Sequence, residues 1–176
     1  MQELSLDGAV LASGRMASAP PVPPVTDIDL LPFSEIVDNA RIDHERGLTT
    51  GLVATANGDQ PDVALKGSLM VWDKDHLAWW ERAKRETYGA LATNPKVAVL
   101  VRNTTRDKRT LRFYGEARVV DDPDLTQRIW DRVLQVEKDT DKERHGVGVL
   151  VRVDRVRAGP LDIQRRGTSG GPIPRV

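Results

Sequence analysis

The 176-residue chain contains no cysteine. That excludes disulfides, thiolate zinc sites and a cysteine nucleophile. It also has no net charge, with 26 basic residues against 26 acidic ones. A chain without an overall field gives no general argument for a nucleic-acid partner. Nowhere does an apolar run approach the roughly 20 residues that a membrane helix requires, so no membrane partner is expected. The "ASA" at positions 17–19 has the form of a signal-peptidase site. The residues before it lack a basic start, include Glu3 and Asp7, and offer only "AVLA" as an apolar stretch, whereas a signal core needs about 7–15 apolar residues. A cytoplasmic protein is the expectation. The three histidines, His44, His76 and His145, are far apart and show no metal-ligand spacing, and no Ser-His-Asp or Gly-x-Ser-x-Gly arrangement is present. No metal site is expected.

What remains divides into three stretches. Residues 1–31 form a proline-rich arm, whose "APPVPPV" favours polyproline II and cannot enter a helix or sheet interior. Such an arm orders best by lying on another surface, for example a second subunit. Residues 32–160 carry the periodic patterns of a folded domain, and residues 161–176 are a tail dominated by Gly and Pro. Within the domain, Phe33, Ile36, Val37 and Ala40 mark a short amphipathic helix. "GLVATA", then "NGDQP", then residues 62–72 read as a strand, a tight turn and a second strand, because Asn and Gly tolerate positive φ. "HLAWWE" is a third strand, "VAVLV" a buried fourth, residues 110–120 an alternating fifth and residues 147–156 a sixth. Asp122-Pro123 opens a helix whose buried stripe is Leu125, Ile129, Val133 and Val136. The charged "QVEKDTDKERH" after it reads as a solvated face. The predicted fold is mainly β (α+β): a six-stranded antiparallel barrel with short helices packed over its openings.

One stretch concentrates chemistry. In "RAKRETYGALATNPKVAVLV", Arg82, Lys84 and Arg85 stand just ahead of a short helix for which Thr87 is the expected N-cap. A helix N-terminus presents free N–H groups and the positive end of the helix dipole. With formal positive charge immediately upstream it makes a phosphate site. A solvated loop carrying ordinary surface bases is the alternative. Trp79 and Trp80 end the preceding strand, where one must point opposite to the other. One of them is a candidate aromatic wall for a planar ligand; both serving as core or subunit-interface residues is the alternative.

The ordered set Ala54-Thr55, residues 57–61, Lys84 to Thr87, Leu91, Asn94-Pro95, Val97, Val99, Gly115 and Ala117 resembles the pyridoxamine 5′-phosphate oxidase-like, FMN-binding split β-barrel family. The resemblance covers roughly residues 48–122. It implies a split-barrel homodimer that holds FMN in a groove between subunits and acts on a small-molecule substrate, as a flavin-dependent oxidoreductase. Carried over by position, Lys84, Arg85 and Thr87 would meet the FMN phosphate. Lys66, Gly67 and Ser68 would line the ring or ribityl chain, with Lys66 a source of positive charge near the ring. Trp80 and Glu81 would flank the groove, and Arg109 and Thr110 would approach from the partner subunit. The same fold also implies two alternatives: a flavin-holding or sensing module without turnover, or a site for F420 or haem, for which His145 is the one haem candidate. True pyridoxamine phosphate oxidases end in an aromatic, Arg/His-rich segment. This tail has no Trp and no His, only Arg165 and Arg166 as possible anion ligands, so oxidation of a B6 vitamer is not expected.

Overall fold

The structure, a computed structural model, describes residues 22–40, 49–104 and 106–168. His44, the "ASA" motif, most of the proline-rich arm and the last eight residues lie outside the described residues. Eight strands form one antiparallel sheet: β1 (Thr49–Asn57), β2 (Gln60–Leu65), β3 (Met70–Val71), β4 (His76–Glu81), β5 (Lys96–Asn103), β6 (Thr110–Val119), β7 (Val147–Ala158) and β8 (Leu161–Arg165). Their order is β2-β1-β5-β6-β7-β4-β3, with β8 also paired to β7. The twelve residues of β7 give one edge to β6 and divide the other, the first half pairing with β4 and the last residues with β8. Four α-helices are present among the described residues: α1 (Ser34–Asp38), α2 (Glu86–Thr93), α3 (Pro123–Arg132) and α4 (Gln135–Lys138). None is long and apolar enough to cross a membrane.

The two ends of that path, β2 and β3, are consecutive in sequence and joined only by residues 66–69. Five Cα steps reach at most roughly 18 Å. The sheet must therefore curl until its edges face each other across a narrow gap, which is a split barrel. The expected six strands are eight for two reasons. The apolar run over 62–72 is broken by a turn in which the Leu69 N–H donates to the Lys66 carbonyl at 3.3 Å. Beyond β7, Gly159 takes a φ of 56°, a left-handed turn that sends residues 161–165 back along the sheet. Those residues, assigned above to the tail, are therefore a strand.

The curled interior is filled by Leu77, Trp79, Val99, Val101, Leu111, Phe113, Val149 and Val151, all at most 1% exposed. Ile28 and Leu30 from the end of the arm, together with Phe33 and Val37, complete this core. The arm's last residues are held by backbone bonds from the Thr26 N–H to the Ile163 carbonyl (3.1 Å) and from the Leu30 N–H to the Lys74 carbonyl (2.7 Å). They lie on their own chain. A second core sits under α3, where Trp80, Leu150, Ile129 and Val133 pack together. β4 thus buries both faces, Leu77 and Trp79 inward and Ala78 and Trp80 outward, which accounts for the paired tryptophans. Truncating either to Ala is expected to cost about 3–5 kcal/mol. At the start of α3, Asp122 Oδ1 accepts from the Asp124 and Leu125 N–H groups at 2.8 and 3.2 Å, a cap of about 1 kcal/mol. The helix stops at Arg132, so Val136 falls in α4 and is 43% exposed rather than part of the stripe.

Across β2, β1 and β5 the outer face carries an apolar patch, which gives way to Arg112, Tyr114 and Glu116 on β6. Leu65, Leu52 and Leu100 align in one row, and Val63, Ala54, Ala98 and Tyr114 in the next. Val63 and Leu65 are 60% and 57% exposed.

Candidate functional site

A cleft of about 240 Å³ opens at the split, between the end of β2, the turn at residues 66–69, the end of β4 and the start of α2. Its floor is a buried ion pair. Lys66 Nζ lies 2.7 Å from Glu81 Oε2, with the side chains 8% and 6% exposed. Trp79 Nε1 donates to the same Glu81 oxygen at 2.9 Å, and Lys66 Nζ also donates to Thr87 Oγ1 at 3.2 Å. Thr87 in turn donates to Asp62 Oδ2 at 3.4 Å. Every charge placed in this floor thus has a partner, as buried charge requires.

Above the floor stands the basic loop. Helix α2 begins at Glu86 with Arg85 in the N-cap position, and no side chain caps it. Thr87 is therefore inside the first turn, buried, with its hydroxyl committed to Lys66 and Asp62; it is not the cap that the sequence suggested. Lys84 adopts a φ of 45°, an uncommon conformation for a residue with a side chain. It throws the chain into α2 so that Arg85 borders the cleft. Lys84 and Arg85 are both exposed, and their side chains have no hydrogen-bond or ion-pair partner among the described residues. Arg82 differs: its Nη1 donates to Thr140 Oγ1 and lies 3.9 Å from Glu137 Oε2.

The rest of the sequence-derived set is scattered over distinct roles. Gly67 borders the cleft, and a Cβ added there would collide with the Glu137 carboxylate. Ser68 is buried and bonds the β4 backbone, accepting from the Trp80 N–H at 2.9 Å and donating to the Trp80 carbonyl at 3.3 Å. Lys66, Gly67 and Ser68 lie on the turn after β2 rather than on a strand. Trp80 borders the cleft, but its ring is 6% exposed, packs edge-on to Trp130 at 4.8 Å and donates to Asp141 Oδ2 at 2.8 Å. Neither tryptophan offers a free face as a wall. Arg109 and Thr110 are not brought to the cleft within one chain. Thr110 opens β6 and Arg109 precedes it; the first residues of β6 pair with the last of β7, whereas Glu81 pairs with the first residue of β7. Arg109 is gripped by Asp107, with Nη2 to Oδ2 at 2.6 Å.

Sequence reasoning missed Asp62 and Glu137. The segment containing Glu137 read as solvated, yet Asp141 is 7% exposed and binds the Trp80 indole and the His145 and Gly146 amides. Burial works against the Asp141 charge, but those donors outweigh it and hold the carboxyl below its ordinary range. Only the spacing from Trp80 to Asp141 in three dimensions could have shown this. Of the tail arginines, Arg166 is engaged by Asp75, Asp154 and the Val153 carbonyl, and so does not stand as an anion ligand. Asp73, Asp75 and His76 cluster, but the carboxylates are turned to His76 Nδ1 and to Arg166. His145 is a surface residue beside Glu143.

A second cavity, also about 240 Å³, lies across the turn from the cleft and is bordered by Asp38, Gly67, Met70 and Arg132. Burial raises the Asp38 carboxyl, although the Val71 N–H and Arg132 favour its charge.

The same fold occurs in solved structures. It is shared with an FMN-binding protein from Syntrophomonas wolfei (TM-score 0.55, 17% identity, 72% of this chain and 88% of that one). HupZ of Group A Streptococcus matches at TM-score 0.53 and 18% identity over 72% of this chain and 90% of its own. General Stress Protein 26 of Bacillus anthracis matches at TM-score 0.50 and 19% identity, over 72% and 98%. At these identities the likeness speaks for the fold alone. No curated protein sequence matches the chain significantly. The family model described as pyridoxamine 5′-phosphate oxidase matches residues 43–156, well over half of the chain. That span runs from just before β1 nearly to the end of β7 and so contains both walls of the split, the basic loop and α2: the chain belongs to the pyridoxamine 5′-phosphate oxidase family.

Proposed function

We propose that this chain is a cytoplasmic flavoprotein that holds FMN beside α2 at the interface of a homodimer and serves as an oxidoreductase for a small molecule. The observation that carries this reading is Arg85 on the rim of the cleft with Lys84 beside it at the open N-terminus of α2, both exposed and without a side-chain partner among the described residues. Uncapped N–H groups, helix dipole and two formal charges together favour a phosphate. The residues fit such a group in the rim, while the floor, neutralised internally by the Lys66–Glu81 pair, suits an uncharged portion of a ligand. Exposed Val63 and Leu65, with half-buried Leu52 and Leu100 beside them, adjoin the cleft through Leu65, which borders it. A second copy covering that face would also wall the cleft. The FMN-binding character of the Syntrophomonas wolfei protein is in keeping with this choice of cofactor. When bound, a flavin supplies the electron chemistry, and the protein binds and orients it.

The test is a titration of FMN and riboflavin against the wild type and a Lys84→Ala/Arg85→Ala variant, followed by flavin fluorescence. FMN affinity is expected to fall about 10²–10⁴-fold, since each of the two charge-assisted bonds contributes about 1.5–3 kcal/mol. Riboflavin, which lacks the phosphate, should change less than about 3-fold by the same reasoning. Equal losses for both ligands would show that the loop is not a phosphate site. Anaerobic bleaching of the bound flavin by NADH or NADPH, and its reoxidation by a substrate panel, separates an oxidoreductase from a flavin holder.

A further inference from the structure

A further cavity, of about 360 Å³, lies away from the cleft in the outer face of β4, β7 and β6. Small-molecule sites usually occupy about 300–1,000 Å³, so this cavity has room for a small ligand. It shares no lining residue with the cleft. His76, which borders it, opens β4, and Glu81 ends that strand. At about 3.3 Å per residue, the two positions are roughly 17 Å apart along the strand.

Two rows of the sheet meet at this cavity. His76, Arg152 and Glu116 stand opposite one another in the first row, and Ala78, Leu150 and Arg118 in the second. Arg152 and Arg118 are therefore diagonal neighbours on adjacent strands, about 7–8 Å apart at the backbone. Asp154 has no opposite residue on β6, because Tyr114 pairs with Arg155 and Gly115 with Val153. A bulge of this kind bends the strand and re-aims its side chains. Leu150, 6% exposed, gives the cavity an apolar surface.

The polar groups around it have capacity left. Arg118 is exposed and has no hydrogen-bond or ion-pair partner among the described residues. Arg152 makes one long bond, from Nη2 to Glu116 Oε2 at 3.3 Å, with Asp154 Oδ1 3.5 Å from the same nitrogen. Glu116 has Lys96 on its other oxygen. Two guanidinium groups with most of their donors unfilled suit a bidentate oxyanion. His76 Nδ1 lies 2.9 Å from Asp73 Oδ1 and 3.0 Å from Asp75 Oδ1. A ring nitrogen set between two carboxylates carries the proton, which makes Nε2 of the neutral ring an acceptor. Nε2 has no partner among the described residues.

We infer that this cavity is a second ligand site, for a small organic oxyanion that carries a hydroxyl or N–H donor away from its acidic group. Arg118 and Arg152 hold the carboxylate or phosphate, Leu150 packs against the carbon frame, and His76 Nε2 accepts from the donor. The site stands independently of the flavin reading.

The experiment titrates 4-hydroxybenzoate, benzoate and 4-hydroxyphenyl phosphate into the wild type, Arg118→Ala and His76→Phe, and follows backbone amide shifts by NMR. The wild type should bind a hydroxylated probe saturably, with shifts at residues 76, 116–118 and 150–152 and none at 81–87. The tighter of the two hydroxylated probes identifies the oxyanion. Arg118 is exposed, so its truncation leaves the fold intact; it should weaken that probe about 10–100-fold, the scale of a hydrogen bond to a charged group. Benzoate should bind the wild type about 3–10-fold more weakly than 4-hydroxybenzoate, the scale of a neutral hydrogen bond. In His76→Phe the two should bind alike. No saturable binding of any probe up to about 10 mM, shifts at 81–87 instead, or an unchanged affinity in Arg118→Ala overturns the site. A benzoate affinity equal to that of 4-hydroxybenzoate in the wild type overturns the role of His76.

Discussion

Lys66 Nζ and Glu81 Oε2 lie 2.7 Å apart beneath the cleft, both side chains less than a tenth exposed. A buried pair of this kind is costly to break from one side, because the remaining charge has no water to turn to. Lys66→Met should destabilise the protein by about 3–5 kcal/mol, and a Lys66→Met/Glu81→Gln variant should recover most of that. Urea denaturation of the two variants and the wild type checks this. A single variant as stable as the wild type would mean that Lys66 reaches solvent.

The Asp141 carboxylate gives stability with a defined pH dependence. Its folded pKa is held below the ordinary value because the Trp80, His145 and Gly146 donors outweigh the burial that opposes its charge. A lowered folded pKa stabilises the protein in full above the unfolded value near 3.9, and that stabilisation is lost as pH falls through the folded value. Asp141→Asn should cost about 1–3 kcal/mol at pH 7, and the gap to the wild type should close as pH drops below about 4. Denaturation midpoints at pH 7, 5, 4 and 3 test it; a gap that stays constant over that range contradicts the assignment.

The apolar rows on the outer sheet face make oligomeric state the next measurement. Val63 and Leu65 are exposed on one strand, and an unpartnered apolar face of this kind is unusual for a monomer. Val63→Asp combined with Leu65→Asp should convert a dimer into a folded monomer, seen by light scattering with an unchanged circular dichroism spectrum. A wild type that is already monomeric would remove the second wall from the proposed flavin site.

How much of this was readable beforehand depends on whether a feature is local. The hairpin at Asn57 and Gly58, the Asp122 cap and the alternation along β6 follow from neighbours in sequence, and the structure has them. The break at residues 66–69 does not, because Leu69, Met70 and Val71 are as apolar as a strand requires and are in fact buried. What ends the strand is the curling of the whole sheet. Lys66 and Arg85, both singled out in the sequence, border the cleft, but Lys66 belongs to an internal ion pair that only its closeness to Glu81 reveals. Glu137 and Asp141 sit in a charged stretch whose composition is that of a solvated loop, and their inward turn is set by partners about 60 residues away, Arg82 and Trp80. Gly115 was legible as a motif residue. Its physical reason, a backbone approach in which a Cβ would meet the Arg152 carbonyl at the irregularity between β6 and β7, was not.

The Thr26 N–H donates to the Ile163 carbonyl, and the Arg165 N–H donates to the Thr26 carbonyl. Incoming and outgoing chain therefore run side by side, on the half of β7 that β8 occupies and the Glu81 end of β4 does not reach. A fluorescent reporter placed on either Thr26 or Arg165 would therefore sit at one pole, remote from the basic loop.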